Sequence, residues 1–239
     1  MAGALDGKTA VVTGGSRGIG RAIVERLARD GATVIFGYLS RDDEAREVEQ
    51  ASGARGVRAD LATPDGVDRL FKEAAELDIL VNNAAARMTS TPFAEVTDDE
   101  YDRIMAVNAK SVFRAIRYAA RHMRDNGRII SISTLNTVAA PPGGSLYVGS
   151  KGAVEQFGAV AAKELGARGI TVNTVSPGAT DTELLRSVNT AENLAMAAAR
   201  SPLGRLGSPA DIADVVAFLA GPDGRWMTGQ NLRATGGLG

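Results

Sequence analysis

Cysteine is absent from the 239 residues of this chain, and histidine occurs once, at His122. Without cysteine the chain can form no disulfide, no thiolate nucleophile and no thiolate-ligated metal site. The single histidine leaves too few imidazole ligands for a transition-metal centre, so we predict that the protein holds no metal. His122 follows Arg121 at the expected end of a helix, where we predict an exposed position.

Long apolar runs and an excess of one charge are missing as well. No stretch reaches the roughly 20 apolar residues that span a bilayer, and residues 1–9 contain no apolar signal-peptide core. Lysine and arginine total 27 against 28 acidic residues, which is a formal net charge of −1. This balance gives no electrostatic support for binding nucleic acid or a membrane surface. We expect a soluble, cytoplasmic protein.

Short β-branched runs alternate along the chain with longer amphipathic or alanine-rich stretches. The predicted strands are Lys8–Thr13, Ala32–Gly37, Gly56–Ala59, Asp78–Asn82, Arg128–Ser133, Ile170–Val175 and Gln230–Ala234. The predicted helices are Ile19–Arg29, Asp42–Gln50, Pro64–Ala75, Asp98–Arg124, Leu146–Gly166 and Pro209–Ala220. Such alternation is typical of βαβ units, whose right-handed crossovers place helices on both faces of a parallel sheet. We therefore predict a single α/β domain over residues 1–239, with a Rossmann-type doubly wound sheet of about seven parallel strands.

One irregular stretch, about residues 180–207, interrupts this alternation. It follows a predicted strand and contains alanine-rich helical pieces before Ser201-Pro202. A segment in this place lies beside the carboxyl ends of the strands, where doubly wound folds bind their ligands. We predict that it forms a lid over the substrate.

A glycine-rich turn connects the first predicted strand to the first predicted helix, through Gly14, Gly18 and Gly20. Gly14 permits a tight turn, Gly18 lets the backbone approach a pyrophosphate, and Gly20 allows the helix to pack closely on the sheet. The N-terminus of the helix then offers free N–H groups to the phosphates. Because the turn stands between strand and helix, it favours a dinucleotide ligand.

A tyrosine and a lysine, Tyr147 and Lys151, stand four residues apart near the start of another predicted helix. Residues at this spacing share one helix face. A tyrosine hydroxyl ordinarily has a pKa of about 10, which is too high for efficient proton transfer at neutral pH. A neighbouring ammonium favours the phenolate, so we expect Lys151 to lower the pKa of Tyr147.

Taken together, these motifs resemble those of the short-chain dehydrogenase/reductase family, and the resemblance runs from about residue 5 to residue 237. The family's TGxxxGxG pattern is matched at 13–20 and its YxxxK pattern at 147–151. Its NNAG pattern is matched at 82–85, with Ala85 in place of the glycine, and its proline-glycine pair at Pro177 and Gly178. The resemblance implies an oxidoreductase that moves a hydride between a nicotinamide and a carbonyl or secondary alcohol.

The resemblance also implies the catalytic residues. Tyr147 is the general acid in reduction and the base in oxidation, Lys151 binds the nicotinamide ribose, and Asn108 holds a water that relays protons to Lys151. The family's substrate-polarising serine usually stands thirteen residues before the tyrosine, where this chain has Thr134. A threonine hydroxyl donates and accepts as a serine does. We therefore assign this role to Thr134, and Ser133 is the alternative.

The cofactor is predicted to be NADP, and NAD is the alternative. Where NAD-dependent members place an acid at the end of the second strand, this chain has Tyr38. Arg17 and Arg41 lie nearby, and guanidinium groups suit a 2′-phosphate. The predicted cofactor contacts are Gly14, Ser16, Arg17, Gly18, Ile19, Tyr38, Ser40, Arg41, Asp60, Leu61, Asn83, Ala84, Ala85, Tyr147, Lys151, Pro177, Gly178, Thr180 and Thr182.

Among functional classes, the leading prediction is an NADP-dependent ketone reductase that resembles the 3-oxoacyl-carrier-protein reductase group. An NAD-linked sugar or alcohol dehydrogenase and a dinucleotide-binding regulator without turnover are the alternatives. Apolar residues, among them Val138, Pro141 and Leu184, predict an apolar or mixed substrate pocket. By the same resemblance the chain forms a homotetramer or homodimer through the helices that contain Asn108 and Tyr147.

Overall fold

A computed structural model describes residues 3–74, 76–86 and 90–238. Within them, seven parallel strands form one sheet in the order β3-β2-β1-β4-β5-β6-β7. The strands are β1 Thr9–Thr13, β2 Thr33–Tyr38, β3 Arg55–Arg58, β4 Leu77–Asn82, β5 Met123–Ile132, β6 Thr171–Pro177 and β7 Asn231–Ala234. This order confirms the predicted doubly wound α/β sheet. The order reverses between β1 and β4, and ligands bind at such a switch point.

Helices connect the strands and cover both faces of the sheet. They are α1 Gly18–Arg29, α2 Asp42–Ser52, α3 Pro64–Lys72, α4 Asp98–Met105, α5 Ser111–His122, α6 Asn136–Ala139, α7 Ser145–Leu165, α8 Glu183–Val188, α9 Ala191–Arg200 and α10 Pro209–Ala220. Helix α10 begins with a capping box between Ser208 and Asp211, and Pro209 occupies its first turn. The side chains of Ser208 and Asp211 accept hydrogen bonds from backbone N–H groups that would otherwise be unpaired, and they thereby fix where the helix starts.

Two clusters of buried apolar side chains lie on opposite faces of the sheet. Side chains of β1 alternate between them, with Val12 in the cluster under α1, α2 and α10, and Val11 in the cluster under α3, α5 and α7. Strands β4 and β6 are buried along their whole length. Complete burial of these strands is expected, because a parallel sheet covered on both faces leaves no solvated side.

The predicted long helix over Asp98–Arg124 differs from the structure. Helix α4 ends at Met105, a single wider turn of π type follows over residues 106–110, and α5 ends at His122. The interruption coincides with Asn108, whose side chain accepts a hydrogen bond from the backbone N–H of Ala86. The helix stops early because Met123 is extended and starts β5. His122 is exposed, as predicted.

The start of β5 at Met123 precedes the predicted start at Arg128 by five residues, and the other boundaries agree with the predictions to within three. Ala75, the last residue of the predicted third helix, lies outside the described residues, as do residues 1–2 and 239 of the predicted domain. Among the described residues, no helix combines the length and the apolarity needed to cross a membrane. The same residues contain no group of three or more histidine, aspartate or glutamate side chains placed to hold a metal ion.

The predicted lid segment leaves the sheet after β6 and contains α8 and α9. Its two ends lie together, because the N–H of Asp181 donates to the carbonyl of Gly207 at 2.7 Å, and the N–H of Gly207 donates to the carbonyl of Ala179 at 2.9 Å. Neither α8 nor α9 buries a residue. A segment fastened at its base and weakly packed above it can open at low cost in free energy.

Candidate active site

The glycine turn lies at the carboxyl end of β1, where Gly14 and Gly18 have φ values of +69° and +54°. A Cβ atom on Gly14 would come within 2.9 Å of the Ala84 Cα, and one on Gly20 would collide with the carbonyl oxygen of Gly14. Arg17, the residue before α1, makes no side-chain cap to the helix. The turn therefore has no room for a side chain at Gly14 or Gly20. The N-terminus of the helix that follows suits a phosphate.

Asn83 fastens this turn to the neighbouring strand. Its side-chain amide donates to the carbonyl oxygens of Thr13 and Gly14, each at 3.0 Å. The backbone N–H groups of Asn83 and Ala84 both donate to the hydroxyl of Thr13. The Asn83 side chain, predicted to touch the cofactor, thus supports the shape of the turn.

Two arginines stand beside the turn, as the sequence predicts for a 2′-phosphate site. Arg17 precedes α1, and Arg41 precedes α2 with a φ of +71°. In the structure both guanidinium groups face the carboxylate of Glu183, at 3.5 Å and 2.9 Å respectively. Nothing in the sequence pattern singles out Glu183, which stands 142 residues after Arg41.

Other predicted cofactor contacts lie along the same edge of the sheet, where each strand ends. Tyr38 ends β2, and its partial burial, followed by its hydrogen bond to Asp42, raises the pKa of its hydroxyl. A carboxylate oxygen of Asp60 accepts the N–H of Ala62 at 3.0 Å, which makes Asp60 a cap of its own turn. Leu61 packs into the core under α3 and α5.

The segment after β6 completes this edge. Pro177 is the last residue of β6, and Gly178 and Thr180 follow it. Thr182 caps α8 by accepting the N–H of Leu185 at 3.1 Å. Its methyl group lies 3.4 Å from the position that a Cβ atom on Gly18 would take. The predicted lid segment therefore starts directly beside the glycine turn.

Thr134 and Tyr147 lie close enough for their side chains to interact. Thr134 follows the end of β5 and is 9% exposed, while Tyr147 stands in the first turn of α7. Burial raises the pKa of Tyr147, and a hydrogen bond from Thr134 opposes this rise. We predicted that Lys151 lowers the pKa of Tyr147, and this prediction is wrong. Desolvation of the phenol raises its pKa by more than the favourable contacts lower it.

Ser133, the alternative to Thr134, faces elsewhere. Its hydroxyl donates to a carboxylate oxygen of Glu155 at 2.6 Å, and its N–H donates to the carbonyl of Val175 at 2.8 Å. Successive side chains of an extended segment point to opposite sides, so the neighbouring hydroxyls cannot both face Tyr147. The geometry therefore favours Thr134 for the polarising role.

Lys151 is buried, with 2% of its surface exposed, and its ammonium donates to the carbonyl of Ile132 at 2.7 Å. The nitrogen lies 5.9 Å from the centroid of the Tyr147 ring, on the same helix face. Burial lowers the pKa of Lys151 to about 8. A buried ammonium is retained at a cost in stability, which is typical of a functional position.

Asn108 is fully buried in the π turn, close to Tyr147 and Lys151 along α7. Its side-chain amide donates to the hydroxyl of Ser150 at 3.1 Å, and that hydroxyl donates to the carbonyl of Tyr147 at 2.7 Å. These bonds connect the turn to α7, and Ser150 was not among the predicted residues. The water relay from Asn108 to Lys151 stays a prediction.

A cavity of about 480 Å³ opens next to the first turn of α7. Its walls are mostly apolar and come from two loops and the helix: Pro92, Phe93, Ala140, Pro141, Pro142, Gly143, Gly144, Ser145 and Val148. Pro141 was predicted for the pocket, whereas Pro92 and Phe93 were not. Ser145 and Val148 flank Tyr147 in the sequence, so a ligand here would lie beside the predicted acid.

The donor set fits a nicotinamide dinucleotide with a 2′-phosphate. The glycine turn and the uncapped start of α1 suit a pyrophosphate, and the two arginines suit a further phosphate. Lys151 offers a buried ammonium for ribose hydroxyls, and Thr134 and Tyr147 lie near it, after the end of β5 and in the first turn of α7. All these groups lie at one edge of the sheet, around the switch point between β1 and β4.

A family model described as Enoyl-(Acyl carrier protein) reductase matches residues 14–239. The chain belongs to the short-chain dehydrogenase/reductase family. A family relative from Methylorubrum extorquens, named an uncharacterized oxidoreductase, is 42% identical over 245 residues that cover 98% of each chain. A hydroxynaphthalene reductase-like protein of Metarhizium brunneum is 38% identical over 255 residues, which cover 98% of this chain and 95% of that protein.

Solved structures of the family superpose closely. The angucycline C-6 ketoreductase LanV, crystallised with bound NADP, is 44% identical and has a TM-score of 0.91. The match covers 99% of this chain and 97% of LanV. The likeness therefore extends over the sheet, the lid segment and the whole candidate site of this short-chain dehydrogenase/reductase.

Replacing the buried lysine, as in Lys151→Met, should stabilise the fold while it removes a functional group. The pKa of Lys151 is about 8 in the folded chain and 10.5 in the unfolded chain. Between these two pH values the unfolded chain therefore binds more protons than the folded chain. Stability of the native protein must then rise with pH across this window, and below it the buried ammonium costs about 3 kcal/mol. We expect the variant to gain about 2–3 kcal/mol at neutral pH and to lose this pH dependence.

Urea unfolding at about pH 7 and about pH 9.5 measures both effects. Lys163→Met is the matched control, because Lys163 is exposed in the last turn of the same helix. If the free energy of unfolding of Lys151→Met rises with pH as steeply as that of the native protein, the lowered pKa of the buried lysine is wrong.

Proposed function

We propose that this protein is an NADPH-dependent ketone reductase whose substrates are fused-ring aromatic ketones. The observation that carries the proposal is the neighbouring pair Thr134 and Tyr147 at the edge of the sheet that holds the glycine turn, with a mostly apolar cavity at the start of the helix that carries Tyr147. The oxidoreductase activity follows from membership of the family. The substrate class is the finer part of the proposal.

The chain's own groups account for the proton side of the reaction. A bound nicotinamide supplies the hydride that reaches the carbonyl carbon. Because Thr134 and Tyr147 are neighbours in the site, one carbonyl oxygen can accept a hydrogen bond from both hydroxyls. Tyr147 then delivers its proton to that oxygen as charge develops there, and Thr134 stabilises the charge by hydrogen bonding.

Two observations support a flat, aromatic substrate. The cavity at the start of α7 is walled mainly by apolar side chains, among them three prolines, Phe93 and Val148, and none of its described lining residues carries a charge. Relatives that cover nearly the whole chain carry the names hydroxynaphthalene reductase-like protein and angucycline ketoreductase. An apolar slot of this kind selects by shape and surface burial.

For the cofactor, we propose that Arg17 and Arg41 hold the 2′-phosphate of NADP. Both guanidinium groups already face one carboxylate in the structure, so their arrangement suits a single anion. The end of β2 carries Tyr38 and no carboxylate that would repel a phosphate. NADP in LanV is in agreement with this assignment.

A substrate panel tests the proposed activity. The purified protein with NADPH is offered a bicyclic aromatic ketone, a 3-oxoacyl thioester and an enoyl thioester, and NADPH loss is followed by absorbance. We expect kcat/KM for the aromatic ketone to exceed that for either thioester by at least about tenfold, a difference that apolar surface burial can supply. Preference for the 3-oxoacyl thioester would overturn the substrate class, and preference for the enoyl thioester would overturn ketone reduction.

We further propose that the chain associates into a homotetramer or homodimer. On α5 and α7, Phe113 and Val160 are 46% and 54% exposed, and Phe113 packs edge-on against Phe157 at 5.8 Å between ring centroids. Exposed apolar surface on neighbouring helices suits contact with another copy, and analytical ultracentrifugation measures the outcome. The cytoplasmic location stays a prediction from the sequence.

A further inference from the structure

The carboxylate of Glu183 bridges the two arginines that flank the glycine turn. One oxygen lies 2.9 Å from Arg41, and the other lies 3.5 Å from Arg17. Arg41 has a second acidic partner, Glu44, at 2.8 Å. Glu183 is the first residue of α8, so this ion cluster joins the lid to the start of α1 and α2.

The charges of this cluster balance only while no phosphate is present. Arg17 and Arg41 carry two positive charges, and Glu44 and Glu183 carry two negative ones. A phosphate monoester adds about −1.5 to −2 charges and seeks the same N–H donors. With both glutamates in place, a phosphate would meet a neutral cluster and direct carboxylate repulsion.

One of the two glutamates is free to leave. Glu44 stands three residues after Arg41, in the first turn of α2, and stays with it as part of that helix. Glu183 belongs to the lid, whose α8 buries no residue, and its own side chain is 58% exposed. Exposed ion pairs of this kind are weak, so a doubly charged anion can replace them.

We propose that Glu183 determines how the protein responds to the 2′-phosphate: its carboxylate and the phosphate are mutually exclusive ligands of Arg17 and Arg41. The arginines hold the start of the lid in place when no phosphate is bound, and a 2′-phosphate releases it. A dinucleotide without that phosphate leaves Glu183 paired. The inference rests on the proposed phosphate-binding role of the two arginines.

Binding of adenosine fragments isolates this competition from catalysis. The intact protein is titrated calorimetrically with 2′,5′-ADP, which carries the 2′-phosphate, and with 5′-AMP, which lacks it. We expect Glu183→Gln to bind 2′,5′-ADP about three- to tenfold more tightly than the native protein, because two competing ion pairs are gone. Binding of 5′-AMP should not change. Glu192→Gln, in the first turn of α9, is the matched control for charge on the same lid.

Hydrogen exchange of the α8 amides gives a second measurement that a general electrostatic effect would not reproduce. We expect 2′,5′-ADP to speed exchange at residues 184–188 in the native protein, and 5′-AMP to leave it unchanged. In Glu183→Gln the exchange should be fast before any ligand is added. Unchanged affinity in this variant, or α8 exchange that ignores 2′,5′-ADP, would overturn the inference.

Arginine variants separate a failure of this inference from a failure of the phosphate site. Arg17→Ala and Arg41→Ala should each weaken the binding of 2′,5′-ADP more than the binding of 5′-AMP. If they do so while Glu183→Gln behaves like the native protein, only the competition is wrong. If neither variant weakens the binding of 2′,5′-ADP, the assignment of the phosphate site to these arginines is wrong. The proposed competition at Glu183 is then wrong as well.

Discussion

Tyr147→Phe should lower kcat for ketone reduction by about 10² to 10⁴, the range that a positioned general acid contributes. Burial raises the pKa of Tyr147, so its hydroxyl is protonated at neutral pH and available to the carbonyl oxygen. Phenylalanine keeps the ring and its packing, so the change removes the proton donor alone. Single-turnover hydride transfer from bound NADPH measures the chemical step directly.

NADPH affinity provides the internal check on this variant. Because Lys151, the glycine turn and the two arginines are untouched, we expect the NADPH dissociation constant to stay within about threefold, less than 1 kcal/mol. Tyr101→Phe, at a tyrosine 49% exposed on α4, is the matched control and should behave like the native protein. Native-like turnover by Tyr147→Phe would remove this tyrosine from the mechanism and leave its proton donor unassigned.

Thr134→Val should lower kcat by about 10²-fold or more, whereas Ser133→Ala should change it little. Valine has nearly the shape of threonine but no hydroxyl, so it deletes the hydrogen bond that stabilises the developing charge. Ser133 is bonded to Glu155 instead of Tyr147. Its loss should therefore cost stability, about 1–2 kcal/mol for an unpaired carboxylate, and leave the chemistry intact.

Steady-state kinetics with the best ketone of the panel, together with urea unfolding, measures both effects. Thr134→Ser is the rescue variant, because it restores a hydroxyl at the same place and should recover most of kcat. The opposite ranking, with Ser133→Ala slow and Thr134→Val fast, would transfer the polarising role to Ser133.

Several parts of this protein could be predicted because they depend on neighbours in the chain. The alternation of β-branched runs with amphipathic stretches distinguishes strands from helices by their hydrophobic periodicity. Each of the seven predicted strands is present in the described residues. The spacing of Gly14, Gly18 and Gly20 requires a tight turn, and two of these positions have positive φ values. Tyr147 and Lys151 share a helix face because four residues make about one turn.

Other parts depended on packing that no local pattern describes. The interruption of the helix at Asn108 follows from a hydrogen bond to Ala86, 22 residues earlier. The pKa of Tyr147 is raised, contrary to the sequence argument, because the argument counted the lysine charge and could not count the depth of burial. Ser133 and Thr134 are chemically alike, and only the placement of α7 decides which hydroxyl meets Tyr147.

The sequence by itself determined the doubly wound sheet, the nucleotide turn and the family, because these follow from periodicity and from glycine and Tyr-Lys spacing within short segments. Only the tertiary structure decided the partners of Thr134, the apolar walls around Phe93 and the bridge that Glu183 makes to two distant arginines. These features join segments far apart in the chain. Their energies depend on burial and on charges that meet only after the whole domain has packed.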